Sequence, residues 1–449
     1  MRQSALPMEV TEEPKALKPV PVAVSQLRLQ RAVRNQMEMM LRDLDSLVPE
    51  DHPVRAIWAF ISGLDISEFY SKIKAAVDRP GRPPIDPQIL LTLWVYATVE
   101  GIGSARRLDT LCKEHDAYKW ICGGVPVDYH VLSDFRVSHQ EGLDHLLTSI
   151  VACLMHKELV TLKSVAQDGV KVRAGAGAAS FHRRSGLEKC LVEAEAQVKK
   201  LANERDKPDP EITNRQRAAR ERAARERLER VKAALNEFPT VQGTKQRQAR
   251  TLNKNLRPKI TEARVSTTDR CARVMKMPDG GFRPAINVQF ATEVGTGVIA
   301  GVSVGNKADC GLALPLEEQV AQRAGGIHPH KYLIDGGFAK RDSITVLTKR
   351  RVTVYAPVRP PRTETSGRDA SSPRTDDSPE VIAWRERMKT EDAKEMYKKR
   401  ASTAEWANAQ TRKHGLLSFT VRGLEKTLSV ALLVATTHNI LRALVLTAV

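Results

Sequence analysis

"KYLIDGGFAK", residues 331–340, is the stretch on which the fold turns: a tyrosine, a leucine and an isoleucine in a row, then Asp335, then two glycines. Such a run predicts a short buried strand that delivers an aspartate at its tip, although an aspartate before two glycines is equally a turn residue. Its neighbours decide which strand it is. "CGLALPLEEQVAQRAG" before it and "KRDSITVLTKRR" after it have helical spacing, and "VTVYAPV" at 352–358 is a second apolar strand. Strands alternating with helices pair in parallel through crossovers.

Further upstream the texture is that of an antiparallel meander. "LVTLKSVAQDGVKVRAGA" at 159–176 predicts a first strand ending in Asp168, followed much later by "CARVMKMPDGGFRPAINVQFATEV" and "TGVIAGVSVG". The turns of this meander are expected at Pro278–Gly281 and Val294–Gly297, where glycine accepts positive φ without steric cost. The expected architecture is α/β, a mixed five-stranded sheet in the order 3-2-1-4-5 with flanking helices. Strands 1 and 4 are then neighbours, which sets Asp168 beside Asp335.

Composition narrows the partner. The 449 residues include 71 Lys and Arg against 53 Asp and Glu, a formal charge of +18. This excess suits a polyanion, since lysine and arginine contacts to phosphate supply most non-specific affinity for nucleic acid. The six cysteines form no CxxC and no close pairing with histidine, so neither a zinc site nor a disulfide framework is expected, and a reducing cytoplasm fits. The N-terminus lacks a secretory pattern. The apolar C-terminal run "TLSVALLVATTHNILRALVLTAV" carries His438, Asn439 and Arg442 and is expected as a buried helix, not a membrane span.

Residues 1–52 read as an arm, partly disordered, with "LRLQRAVRNQMEMMLRDLDSL" as a helical segment within it. Residues 53–160 show apolar positions at three- and four-residue spacing and predict an all-helical DNA-binding domain; residues 161–449 form the sheet-bearing part. Two insertions interrupt the latter. The segment 186–262 alternates Glu and Arg at helical spacing and predicts a solvated helical hairpin with "KPDP" as its turn, while 359–380 is rich in Pro, Ser and charge and predicts a disordered loop. Asp309 reads as a helix N-terminal residue, and His328 and His330 as structural.

A third acidic residue, Glu405, lies on a helix after the last strand, within "YKKRASTAEW" at 397–406. This segment resembles the Tyr-x2-Arg-x3-Glu-x6-Lys signature of bacterial insertion-sequence transposases with an Asp-Asp-Glu catalytic domain of the ribonuclease H-like fold. "AQDGVKVRAGA" and "LIDGGFAKRDSI" resemble the segments that hold the two aspartates in that family, and "EDHPVRAIW" and "VLSDFR" are similar to its N-terminal region. Here four residues, not three, separate Arg400 from Glu405. The extra residue turns Arg400 by about 100° around the helix. Arg412 and Lys413 fall where the signature has Lys.

The resemblance implies a DNA transposase. Asp168, Asp335 and Glu405 would be catalytic and would hold Mg²⁺, with Mn²⁺ able to substitute. Tyr397, Arg400, Arg412 and Lys413 would contact DNA. The partners would be double-stranded DNA, both terminal inverted repeats and target, with a homodimer or higher oligomer assembled on it in the bacterial cytoplasm near the nucleoid. A nuclease with the same site but no strand transfer, and an inactive DNA-binding remnant, are the alternatives.

Overall fold

A computed structural model describes residues 35, 37, 41–71, 73, 83–204, 213–250, 262–307, 309, 311–358 and 372–448. Most of the N-terminal arm, the "KPDP" turn and residues 359–371 lie outside these. After a short 3₁₀ helix at Asp45–Leu47 come seven α-helices: α1 (Pro53–Ser62), α2 (Ser67–Tyr70), α3 (Pro87–Val99), α4 (Ala105–Glu114), α5 (Asp116–Cys122), α6 (Tyr129–Ser138) and α7 (Gln140–His156). Their starts are written in the sequence. Proline occupies the first turn of α1 and α3, where no amide hydrogen is missed, and Asp86, Ser104 and Asp128 accept hydrogen bonds from the first free amides of α3, α4 and α6. Gly123, at φ 54°, ends α5 in the left-handed region that glycine enters at little cost.

The sheet-bearing part follows as β1 (Ser164–Arg173), β2 (Phe181–His182), α8 (Arg184–Asn203), α9 (Asn214–Arg250), β3 (Val265–Ser266), β4 (Arg273–Lys276), β5 (Phe282–Glu293) and β6 (Ile299–Gly305). After them come α10 (Ala313–Arg323), β7 (Lys331–Ile334), α11 (Arg341–Lys349), β8 (Thr353–Tyr355), α12 (Pro379–Arg387), α13 (Glu391–Lys413) and α14 (Leu424–Thr447). The central path is β6-β5-β1-β7-β8, which is the anticipated order, and the turns of the meander fall at the expected glycines. The sheet has six strands, not five, because β4 shares the outer edge of β5 with β6.

One boundary differs from expectation in a way that matters for the site. Asp168 does not end β1; it stands in the middle of a ten-residue strand. Antiparallel β5 pairs with β1 from Val165 to Arg173, so the strand stays extended beyond the aspartate, whereas parallel β7 pairs only from Ser164 to Gln167. Asp168 therefore marks where β7 stops, not where β1 stops.

Helix α13 crosses one face of the sheet over β1, β5, β7 and β8, and α10 packs on β5 and β6. The approach of α13 is close because small residues meet there: Ala404 packs with Ala166 and Leu333. Helix α14 has the length and composition to cross a membrane, yet it is buried among α3, α6, α7 and β6. A single hydrophobic core runs through the opening helices, the sheet and α14, within one compact unit from Leu44 to Val449.

Within the charged segment, α8 and α9 pack against one another. Arg227 of α9 donates to Glu193 and Gln197 of α8 at 3.1 and 3.0 Å. It is tied to the sheet more firmly than its composition suggested. Leu187, Ala234, Phe238, Val241, Ala263 and Val265 make a small core of their own, and Glu237 pairs with Arg273 of β4. The end of the second polar insertion is ordered as well: Asp377, its side chain fully buried, holds Arg385 at 2.8 Å and Arg341 at 3.2 Å, and Ser378 caps α12. A buried carboxylate between two guanidinium groups fixes a stretch that has almost no apolar side chains.

Candidate active site

The site is built where β1 and β7 part. Gln167 pairs with Ile334 in the last rung of the parallel ladder, so Asp168 and Asp335 are the next residues along two adjacent strands and share one face. Asp335 is exposed, and its Oδ2 accepts from the Gly337 amide at 3.3 Å. It is thus both a turn residue and a carboxylate at a strand tip. Neither Gly336 nor Gly337 has positive φ. The turn is closed by the Phe338 amide donating to the Asp335 carbonyl at 2.9 Å, with the side-chain bond beside it.

Asp168 is more enclosed, with 23% of its side chain exposed. Both of its oxygens are taken by α13: Oδ1 accepts from Arg400 Nη2 at 2.9 Å and Oδ2 from Asn408 Nδ2 at 3.0 Å. Burial pushes the Asp168 carboxyl up from its ordinary range; Arg400 and the Gly169 amide oppose this, while Asp335 and Asp309 add to it. Tyr397 stands close enough for burial and the two aspartates to raise its phenol, with Arg400 acting the other way.

Arg400, Ala404 and Asn408 recur every four residues, which places them on one stripe of α13. The four-residue spacing between Arg400 and Glu405 has a visible consequence here. Arg400 lies on the stripe facing the sheet, next to Asp168, and Glu405, about 100° around the helix from Ala404, is exposed. Arg412 and Lys413 are exposed too, at the C-terminal end of the same helix. Among the described residues no three of His, Cys, Asp and Glu gather into a group that could hold a metal. The structure joins Asp168, Asp335, Tyr397 and Arg400, and leaves Glu405, Arg412 and Lys413 at the rim.

Behind Asp168, on the opposite face of the sheet, runs a buried polar chain. Tyr332 donates to Gln167 at 2.8 Å, Gln167 to Gln289 at 3.3 Å, and both Gln289 and Asn287 donate to Asp309 Oδ1, at 3.0 and 2.8 Å. Asp309 is therefore not the helix-start residue it was expected to be, for its side chain is engaged with the sheet and does not cap α10. This crowding explains Gly169. A Cβ there would stand 2.2 Å from Gln289 Nε2. His328 is structural as expected, paired with buried Glu317, which Arg350 also holds at 2.7 Å.

Asn408 is the residue that the sequence reading passed over. It is 6% exposed, and its Oδ1 is buried without a hydrogen-bond partner. Its spacing of eight from Arg400 was the available signal. The two aspartates offer oxygen ligands alone, the kind that suit a hard divalent cation and not zinc.

Comparison with known families meets the chain on either side of this pair. Residues 42–138 match the family described as Transposase domain (DUF772), and residues 366–444 match the Transposase DDE domain. The first match spans α1 to α6 and the second covers α12, α13 and most of α14, including Glu405. No curated protein and no solved structure matches the chain. Both matches are to transposase domains, and together they support an insertion-sequence transposase of the DDE type.

Proposed function

We propose that this transposase binds the terminal inverted repeats of its element through the helical portion at 53–160, cuts there, and joins the freed 3′ ends to target DNA. The observation that carries this reading is the placement of Asp168 and Asp335 side by side at the end of the β1–β7 ladder. The order of the mixed sheet supports a ribonuclease H-like catalytic part at 161–449. Asp168 and Asp335 would hold the divalent cation, Mg²⁺ or in its place Mn²⁺, and Glu405 would offer the helix-borne carboxylate when DNA lies against α13. Bound there, the cation would supply activation of the attacking water or 3′ hydroxyl and relief of charge on the leaving oxygen.

The chain's own residues do the rest. Asp335, exposed at its turn, faces incoming substrate, whereas Asp168 is held in place by Arg400 and Asn408. Arg412 and Lys413, exposed beyond Glu405, are placed to bind backbone phosphates, with Tyr397 and Arg400 orienting the strand nearer the aspartates. A homodimer or higher oligomer on DNA, in the cytoplasm at the nucleoid, fits an enzyme that brings two ends together.

Replacing Asp168 or Asp335 with Asn should lower Mg²⁺-dependent cleavage of repeat-ended DNA on the order of 10³-fold, while salt-sensitive DNA binding persists. Cleavage at the wild-type rate in both variants would remove the carboxylate pair from the reaction. Transfer of the cut ends into a plasmid separates a transposition reaction from simple nuclease action.

A further inference from the structure

The proposed site has two carboxylates side by side on one face of the sheet and, among the described residues, no third beside them. What stands at the third place is an amide. Asn408 reaches Asp168 from α13, is almost wholly buried, and has one hydrogen-bonding atom in use and one idle: Nδ2 donates to Asp168 Oδ2 at 3.0 Å, and Oδ1 has no partner. A buried carbonyl oxygen without a partner is costly, on the order of 1–3 kcal/mol, and is rarely kept unless something else uses it.

The other candidates for that place are less well set. Glu405 is three residues before Asn408 and therefore about 60° away around the helix, on the exposed side. Arg400 carries the wrong charge to be a ligand and is already spent on Asp168 Oδ1. An amide also has a property that a carboxylate lacks. A third carboxylate beside Asp168 would repel it, but an amide can donate to it, and after turning over it can offer an oxygen in the same place.

We propose that Asn408 is the third oxygen donor of the site: its amide, which donates to Asp168 through Nδ2, presents Oδ1 when reversed to a divalent cation held by Asp168 and Asp335. This rests on the carboxylate-pair reading above and adds to it a neutral ligand that acts before DNA arrives. Glu405 then joins only in the presence of DNA.

The test uses the full-length protein without DNA and follows Mn²⁺ by the loss of its free electron-paramagnetic signal, together with the Mn²⁺-dependent rise in melting temperature. Wild type should bind saturably, and Asn408→Ala should bind about 10-fold or more weakly, as expected when a metal site loses a supporting group. Asn408→Asp should bind more tightly than wild type yet melt lower without the ion. Glu405→Gln should bind as wild type does. Wild-type affinity in Asn408→Ala, or an equal loss in Glu405→Gln, would overturn the assignment. If Asn408→Ala fails to fold, as circular dichroism would reveal, then Asn408→Asp decides: affinity no better than wild type overturns it. Asp335→Asn separates the two readings. If that variant keeps wild-type affinity, or wild type itself binds no Mn²⁺, the carboxylate-pair site fails and Asn408 with it; if Asp335→Asn loses the ion and Asn408→Ala does not, only the role of Asn408 fails.

Discussion

Helices α13 and α14 follow one another in the chain and are nearly equal in length, 23 and 24 residues, but they are held by opposite means. The buried side of α14 includes Leu432, Leu433, Val434 and Ile440, and it is enclosed by helices and strand β6. On α13 the buried residues are Ala393, Thr403, Ala404, Ala407, Asn408 and Thr411, with no large apolar side chain among them. Burial stabilises roughly in proportion to apolar area, so α14 is scaffold. By the same measure α13 is docked lightly, and a good part of its grip is the pair of contacts to Asp168. The helix that carries the reactive neighbourhood is therefore the one whose seating depends on the state of that neighbourhood.

The seam between the two helices lies at the turn from β5 to β6. Asn439 of α14 accepts from the Ile299 amide at 2.9 Å and donates to the Ile299 carbonyl at 2.8 Å, and His438 contacts the Gly297 carbonyl at 2.9 Å. From the other side Trp406 of α13 closes on Gly297, where φ is 75° and a Cβ would stand 2.4 Å from the indole. Glycine is required at 297 by both the backbone and the contact.

The sharpest way to break the contrast is through α14. Asn439→Ala leaves the buried amide and carbonyl of Ile299 without partners, and should cost roughly 3 kcal/mol of unfolding free energy in urea denaturation. A loss below about 1 kcal/mol would mean that α14 is not the fixed half. Next comes acid. Burial lowers His438 from 6.5 to about 4, so the folded protein resists a proton that the unfolded chain accepts. That stability is fully present above pH 6.5 and is lost as pH falls toward 4, amounting to about 2 kcal/mol by pH 5. His414, lowered by burial as well, acts in the same direction. Melting temperatures over pH 5 to 7 should fall less steeply for His438→Gln than for wild type.

The smallest effect belongs to α13. Arg400→Ala should cost about 1 kcal/mol at pH 7, since it leaves Asp168 partly buried beside Asp335 without its counter-charge. Its sign with pH is opposite. The Asp168 carboxyl is already raised by burial, and loss of Arg400 raises it further, so the folded variant takes up a proton more readily than the unfolded chain. The gap between variant and wild type should narrow as pH falls. A gap that widens on acidification would show that Arg400 supports the fold through something other than Asp168.

Much of this was legible in the sequence, and for specific reasons. Period-two and period-3.6 patterns are local, and the turns at Pro278–Gly281 and Val294–Gly297 depend on backbone freedom that only certain residues have, so the meander, the crossovers and the sheet order could be read directly. Asp168 and Asp335 followed from that order. The length of β1 did not, because whether a strand continues past an aspartate is decided by a partner more than a hundred residues away. Nor did the ordering of residues 372–380, which rests on Asp377 meeting Arg341 and Arg385 across the fold.

What the sequence determined by itself was the set of elements, the neighbouring aspartates and the basic surface, all of which follow from local periodicity, turn chemistry and charge. Tertiary structure alone decided which side chains of α13 meet Asp168. A helix rotates its residues by about 100° at each step, and packing such as that of Ala404 against Ala166 and Leu333 selects the face that turns inward. That choice brought Arg400 and Asn408 to the carboxylate and left Glu405 at the rim.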